Sequence, residues 1–219
     1  SVRIRVLLAV LLTWMVYPLT DWPLLDPFSA IGLREAFLQV FIGALMGLLL
    51  QIVNAALIIG GQAISASMGL SMANMVDPNM GNVPVIAQFL IICSTLIFVG
   101  LGGHVIVISL LLESFQVLPI GQMVQVKSLM ALTIEWSSMM FLGAVMIGLP
   151  LMSSLLFINI GLGVITRAAP ALNIFAVGFP AMILAGIVFL SLSMTSIGFR
   201  IQWLWQQSFD TMGQALGLR

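Results

Sequence analysis

The chain has 219 residues, 61% hydrophobic and only 6% charged, with seven basic and seven acidic side chains that cancel. A soluble domain carries about 25% charged residues, so this composition excludes a soluble globule and defines an integral membrane protein. The balanced charge offers no basic stripe for nucleic acid, and the single cysteine, Cys93, excludes an intrachain disulfide or a CxxC zinc site.

The chain starts at Ser1, with Arg3 and Arg5 ahead of a leucine run but no small-x-small cleavage pattern after it, so it does not read as a signal peptide. With no initiator Met, the expectation is a chain that enters partway through a membrane domain. Val6 to Leu19 predicts a short apolar helix ended by Pro18, below the about 20 residues a bilayer span needs. Trp14, Tyr17 and Trp22 cluster near its end as interfacial aromatics do. Ser29 is the predicted cap of a second helix that runs through Gly43 and Gly47 to Ile59. The GxxxG spacing of those glycines lets two helices approach until their backbones touch, although chance matches are common in Gly-rich helices.

The stretch from Gly60 to Pro84 breaks the uniform apolarity, with paired glycines, Gln62, several Ser and Asn, four methionines and Asp77. Polar residues in such a chain face protein or water and are functional candidates, so this stretch is predicted to be re-entrant or pore-facing. Met68, Met72 and Met75 fall at i, i+4 and i+7, one helical face, and Met80 follows across Asp77-Pro78. Methionine is unbranched and adaptable, suited to sealing a gap of variable shape. Ordinary core packing explains Met68 and Met72 as well, but not the polarity of Asn74, Asp77, Asn79 and Asn82 woven among them.

Val85 to Leu112 predicts a long helix interrupted at Gly100–Gly103, followed by His104, read as a polar residue at a helix break rather than a proton relay because no acid lies within a turn. Glu113 to Lys127 is a second polar break. Two charge-free intervals follow, Glu135 to Arg167 and Arg167 to Arg200, with Pro150 and Pro180 expected to break or bend them. The tail, Ile201 to Arg219, reads as an amphipathic segment at an interface or on a partner. Basic residues are spread too evenly to set an orientation, which suits helices that do not cross the bilayer one by one.

No Walker loop, HExxH or helically spaced carboxylate pair appears, so enzymatic chemistry is not expected. The most specific string is NIGLGVITRAAPALNIFAVGFP, Asn159 to Pro180. It resembles the signature of the FliR/SctT family of export-gate subunits at Arg167, Pro170, Asn173, Phe175, Gly178, Phe179 and Pro180. Similar matches occur at Gly61-Gln62, Gly69-Leu70-Ser71, Asp77-Pro78, Gly103-His104, Ser114-Phe115, Leu118-Pro119 and Gly121, in family order over nearly the whole chain. The family has a further apolar segment ahead of the position of Ser1, in keeping with the expectation above.

The resemblance implies an all-α, polytopic membrane protein of long, bent or re-entrant helical hairpins, a single export-gate domain over residues 1–219. It further implies assembly in a helical stack with FliP-like and FliQ-like subunits, and an FlhB-like subunit nearby. Unfolded exported proteins would pass through the central channel, in the bacterial inner membrane at a flagellar basal body or injectisome base. The resemblance places a plug in the channel at Met68, Met72, Met75, Asp77, Pro78, Asn79, Met80 and Asn82, and implies no enzyme, metal or cofactor. The rival reading is a secondary transporter of small solutes built from helices broken at Pro150 and Pro180.

Overall fold

The computed structural model describes residues 1–19, 26, 28–70, 85–121, 126–168 and 174–218, the side chains of 126 and 174–177 aside. All of the regular structure among them is helical: α1 (Val2–Val16) with a 3-10 turn at Tyr17–Leu19, α2 (Ala30–Ser67), α3 (Val85–Gly100), α4 (Gly103–Val117), α5 (Val126–Ser137), α6 (Met139–Ala168) and α7 (Ile174–Ala215). Helices satisfy all but their terminal backbone groups internally, which a chain this apolar requires.

Helix α2 is the axis of the molecule. Its start is fixed by side chains: the Phe28 amide donates to Asp26 Oδ1 at 3.0 Å, and the Gly32 amide donates to Ser29 Oγ at 3.0 Å. The predicted Ser29 cap is thus in place, satisfying one of the orphan amides of the first turn. The buried residues Ile42, Leu45, Met46, Leu49, Val53, Ala56, Leu57, Gly60, Gly61 and Ile64 recur at helical spacing, one stripe along the rod. Against that stripe pack α6 above all, then α3, α5 and α7.

Helix α2 does not stop at Ile59. It continues to Ser67, with the glycine pair inside it. Glycine in a helix costs about 1 kcal/mol relative to alanine, and close packing offsets that here. A Cβ on Gly61 would stand 2.5 Å from the Ala87 Cα, and one on Gly60 would meet the Ala144 backbone oxygen at 3.2 Å. Paired glycines that looked like a flexible break are therefore the points where α3 and α6 cross α2. Gly43 and Gly47, by contrast, have nothing within 4 Å of a built Cβ, so the GxxxG face is open within this chain.

The predicted interruption at Gly100–Gly103 is a bend of 63° between α3 and α4. Gly102 adopts φ +68°, a left-handed conformation that suits glycine, and a Cβ on Gly103 would collide with the Phe98 ring at 2.5 Å. The prolines behave otherwise. Pro150 lies inside continuous α6 and Pro180 inside continuous α7, so neither breaks its helix. Near the first, Ser153 Oγ and Ser154 Oγ donate to the Pro150 carbonyl at 3.0 and 2.8 Å, back-bonds of the kind helical hydroxyls make.

The tail also departs from expectation. It is the last part of α7, and Trp205, Phe209, Met212 and Leu216 are buried in this chain's own core. Trp205 Nε1 donates to Ser94 Oγ at 2.9 Å, and the ring lies 4.7 Å from Phe98 and 6.1 Å from Phe209. Its amphipathic pattern marks a core-facing stripe rather than a lipid-surface helix. At mid-height the Leu49 carbonyl accepts from Trp136 Nε1 and Ser208 Oγ, both at 3.2 Å, tying α2 to α5 and α7.

Among the described residues four helical stretches are long and apolar enough to cross a membrane: Val2–Leu19, Ala30–Ser67, Lys127–Ala168 and Gly178–Ala215. The bent α3–α4 pair would make a fifth if counted as one span. At about 1.5 Å per residue, α2 and α7 are roughly twice as long as the about 30 Å hydrocarbon core is thick. Helix α1 stands largely apart, with Val16 its buried residue.

Candidate functional site: the root of the central loop and the signature helix

The central stretch enters the structure through Met68, Gly69 and Leu70, directly after α2. Met68 is 1% exposed. Its side chain occupies a notch on α7: a Cβ built at Gly186 would lie 2.5 Å from Met68 Cε and 2.8 Å from its sulfur. Gly69 turns the chain with φ +78°, and a Cβ there would meet the edge of the Phe179 ring at 3.3 Å. The root of the loop is thus held against α7 by one side chain in a notch and one ring over a left-handed glycine. One turn earlier, Ser65 Oγ is buried with no hydrogen-bond partner among the described residues.

This contact joins two motifs that the sequence placed more than a hundred residues apart. Of the expected plug residues, Met68 is core in this chain, seated on α7. Met72, Met75, Asp77, Pro78, Asn79, Met80 and Asn82 lie outside the described residues. Of the signature residues, Gly178 is buried, Phe179 is half-buried against Gly69, and Pro180 is exposed. Phe175 lies in the first turn of α7, its side chain outside the description, and Pro170 and Asn173 lie outside it altogether. Arg167 is exposed in the last turn of α6, where a cation complements the helix dipole. It makes no ion pair among the described residues.

A second tie fixes the opposite end of α2. Glu35, 3% exposed, accepts from Arg34 Nη2 at 2.7 Å and, through its other oxygen, from the Gly121 amide at 3.2 Å. The Leu118–Gly121 motif is thereby docked on α2 by one of the chain's seven side-chain carboxylates. The ion pair with exposed Arg34 supplies the countercharge a buried carboxylate needs. His104 is exposed in the first turn of α4. Among the described residues no group of three or more His, Cys, Asp or Glu side chains comes together.

What this arrangement offers is a helical frame that holds the α2 end of the central loop against α7, and no catalytic constellation is assembled among the described residues. The chain matches the family described as bacterial export proteins, family 1, over residues 1–208. It is 35% identical to flagellar biosynthetic protein FliR of Pectobacterium carotovorum, over 98% of this chain and 82% of that protein. Against FliR of Escherichia coli the identity is 34% with the same coverage, and against FliR of Bacillus subtilis it is 28% over 84% of this chain and 72% of that protein. A family match over residues 1–208, together with relatives 35% and 34% identical over 98% of the chain, shows that the chain belongs to the FliR family of bacterial export proteins.

Proposed function

We propose that the chain lines the channel of a flagellar export gate and that its Met-rich central loop, residues 71–84, plugs that channel at rest. As a member of the FliR family it is a membrane subunit of the protein-export apparatus and not an enzyme. Partners matching its open faces would be FliP-like and FliQ-like subunits, with an FlhB-like subunit beside them, at the basal body in the inner membrane. The supporting observation is the clamped loop root: Met68 in the Gly186 notch and Phe179 over Gly69. A plug must be tethered firmly at its base and weakly held beyond it, because opening draws on segments of low local stability. Met68 is then the anchor, and the sealing side chains are Met72, Met75 and Met80.

The secondary-transporter alternative loses its premise, since α6 and α7 run unbroken through Pro150 and Pro180. The test is site-specific photocrosslinking to an export substrate stalled in transit. Probes at Met72 and Met75 should capture the substrate, while a probe at Trp14, on the exposed face of α1, should not. Capture at Trp14 alone would contradict the proposal.

A further inference from the structure

We propose that the groove between α6 and α7 around Arg200 is a binding site for the headgroup of an anionic phospholipid. The groove has a volume of about 610 Å³ and is lined by Met146, Leu192, Thr195, Ser196, Phe199, Arg200 and Trp203. Four observations single it out. First, Arg200 is the only charge on α7 before Asp210, and it makes no ion pair among the described residues. A guanidinium flanked by apolar surface must be paired or solvated. Second, most helical hydroxyls in this chain bond back to a carbonyl three or four residues earlier, as Thr13, Thr133, Ser191 and Thr211 do. Thr195 and Ser196, facing the groove, make no side-chain hydrogen bond among the described residues.

Third, Pro150 has no amide proton, so the carbonyl four residues before it, that of Met146 in the groove wall, loses its helical donor. Fourth, Arg200 marks a change in the helix. The charge-free stretch Ile174–Phe199 precedes it, and Gln202, Gln206, Gln207, Asp210 and Gln214 follow. Arginine with a nearby tryptophan at such a boundary is the pattern of a membrane–water interface. The chemistry that answers all four is one phosphate and one hydroxylated headgroup. The phosphate oxygens accept from Arg200, Thr195 and Ser196, a headgroup hydroxyl donates to the freed carbonyl, and the acyl chains lie along exposed Leu192 and Phe199.

The site is independent of whether the central loop is a plug. The test is native mass spectrometry of the chain purified with its partner subunits and titrated with phosphatidylglycerol or with phosphatidylcholine of the same acyl chains. Phosphatidylglycerol should be retained in preference, and Arg200→Gln should weaken its retention roughly tenfold to a hundredfold, the loss of charge-assisted hydrogen bonds. Arg200→Lys should retain an intermediate affinity. Equal retention of the two lipids, or equal phosphatidylglycerol retention in Arg200→Gln, would overturn the proposal. Loss of a partner subunit with lipid retention unchanged would also overturn it, by assigning the groove to a protein carboxylate. Should Arg200→Gln fail to assemble, the double variant Thr195→Val/Ser196→Ala keeps the charge and decides: weaker phosphatidylglycerol retention supports the site and unchanged retention contradicts it.

Discussion

The sulfur and terminal methyl of Met68 fill the space that Gly186 leaves on α7, so that even a Cβ at Gly186 would stand 2.5 Å from Met68 Cε. A long flexible side chain and an absent one are complementary across two helices. Met68→Ala should leave a cavity and cost about 2–5 kcal/mol. Gly186→Ala must shift a buried side chain that it meets at Cγ and Sδ as well as Cε, an overpacking cost of about 1–3 kcal/mol, the smaller of the two. Thermal unfolding of the two single variants checks this order, and a larger loss for Gly186→Ala would contradict it.

The two glycine pairs on α2 should respond differently to alanine. At Gly61 the obstacle is the Ala87 backbone, so Gly61→Ala must push α2 and α3 apart, an overpacking cost of about 1–3 kcal/mol. Gly43→Ala and Gly47→Ala meet open space and should leave the chain itself unchanged, or more stable by up to about 1 kcal/mol through helix propensity. Denaturant unfolding of the purified chain in detergent measures both.

The doubly accepting Leu49 carbonyl predicts modest, separable losses. Trp136→Phe and Ser208→Ala each remove one donor from a carbonyl that keeps the other, so each should cost about 1 kcal/mol. Removing both should cost more than either alone, and a double variant as stable as one of the singles would show that one of the bonds contributes nothing.

Arg167 stands exposed at the end of α6, beside signature residues that lead into α7. If it ties helix ends between subunits, Arg167→Ala should reduce recovery of partner chains with this one by several-fold while its own expression is unchanged. Unaltered recovery and export would make it a snorkelling side chain.

Much of the fold is legible in the sequence because lipid-compatible backbone has few options. The helices, the Ser29 cap and the bend at Gly100–Gly103 follow from periodicity, capping chemistry and glycine. Sequence and structure part where a residue has two physical uses. Glycine at 60 and 61 gives flexibility in a loop but close approach in a helix, and only the positions of Ala87 and Ala144 distinguish them. Proline at 150 and 180 breaks an isolated helix but is carried by a packed one. Trp205 and Phe209 read as interfacial until Ser94 and Phe98 are seen beneath them. At the candidate site, the two motifs were visible separately through Gly69 and Phe179, yet their contact was not. Glu35 gave no signal at all, since a carboxylate beside an arginine at a helix start is common, and its partner is a backbone amide 86 residues away.

The proposed plug, the loop between α2 and α3, has a direct physical test. A pore wide enough for polypeptide must not leak ions, because the membrane potential is worth about 2.3 kcal/mol per charge per 100 mV. Ion conductance of the resting export complex, in planar bilayers or in cells, tests this with residues Asn74 to Asn82 deleted and the Met68–Gly69 root retained. The account predicts normal assembly and raised conductance, with a milder rise when Met72, Met75 and Met80 are changed to alanine. Conductance indistinguishable from that of the intact protein would place the seal elsewhere and contradict the account.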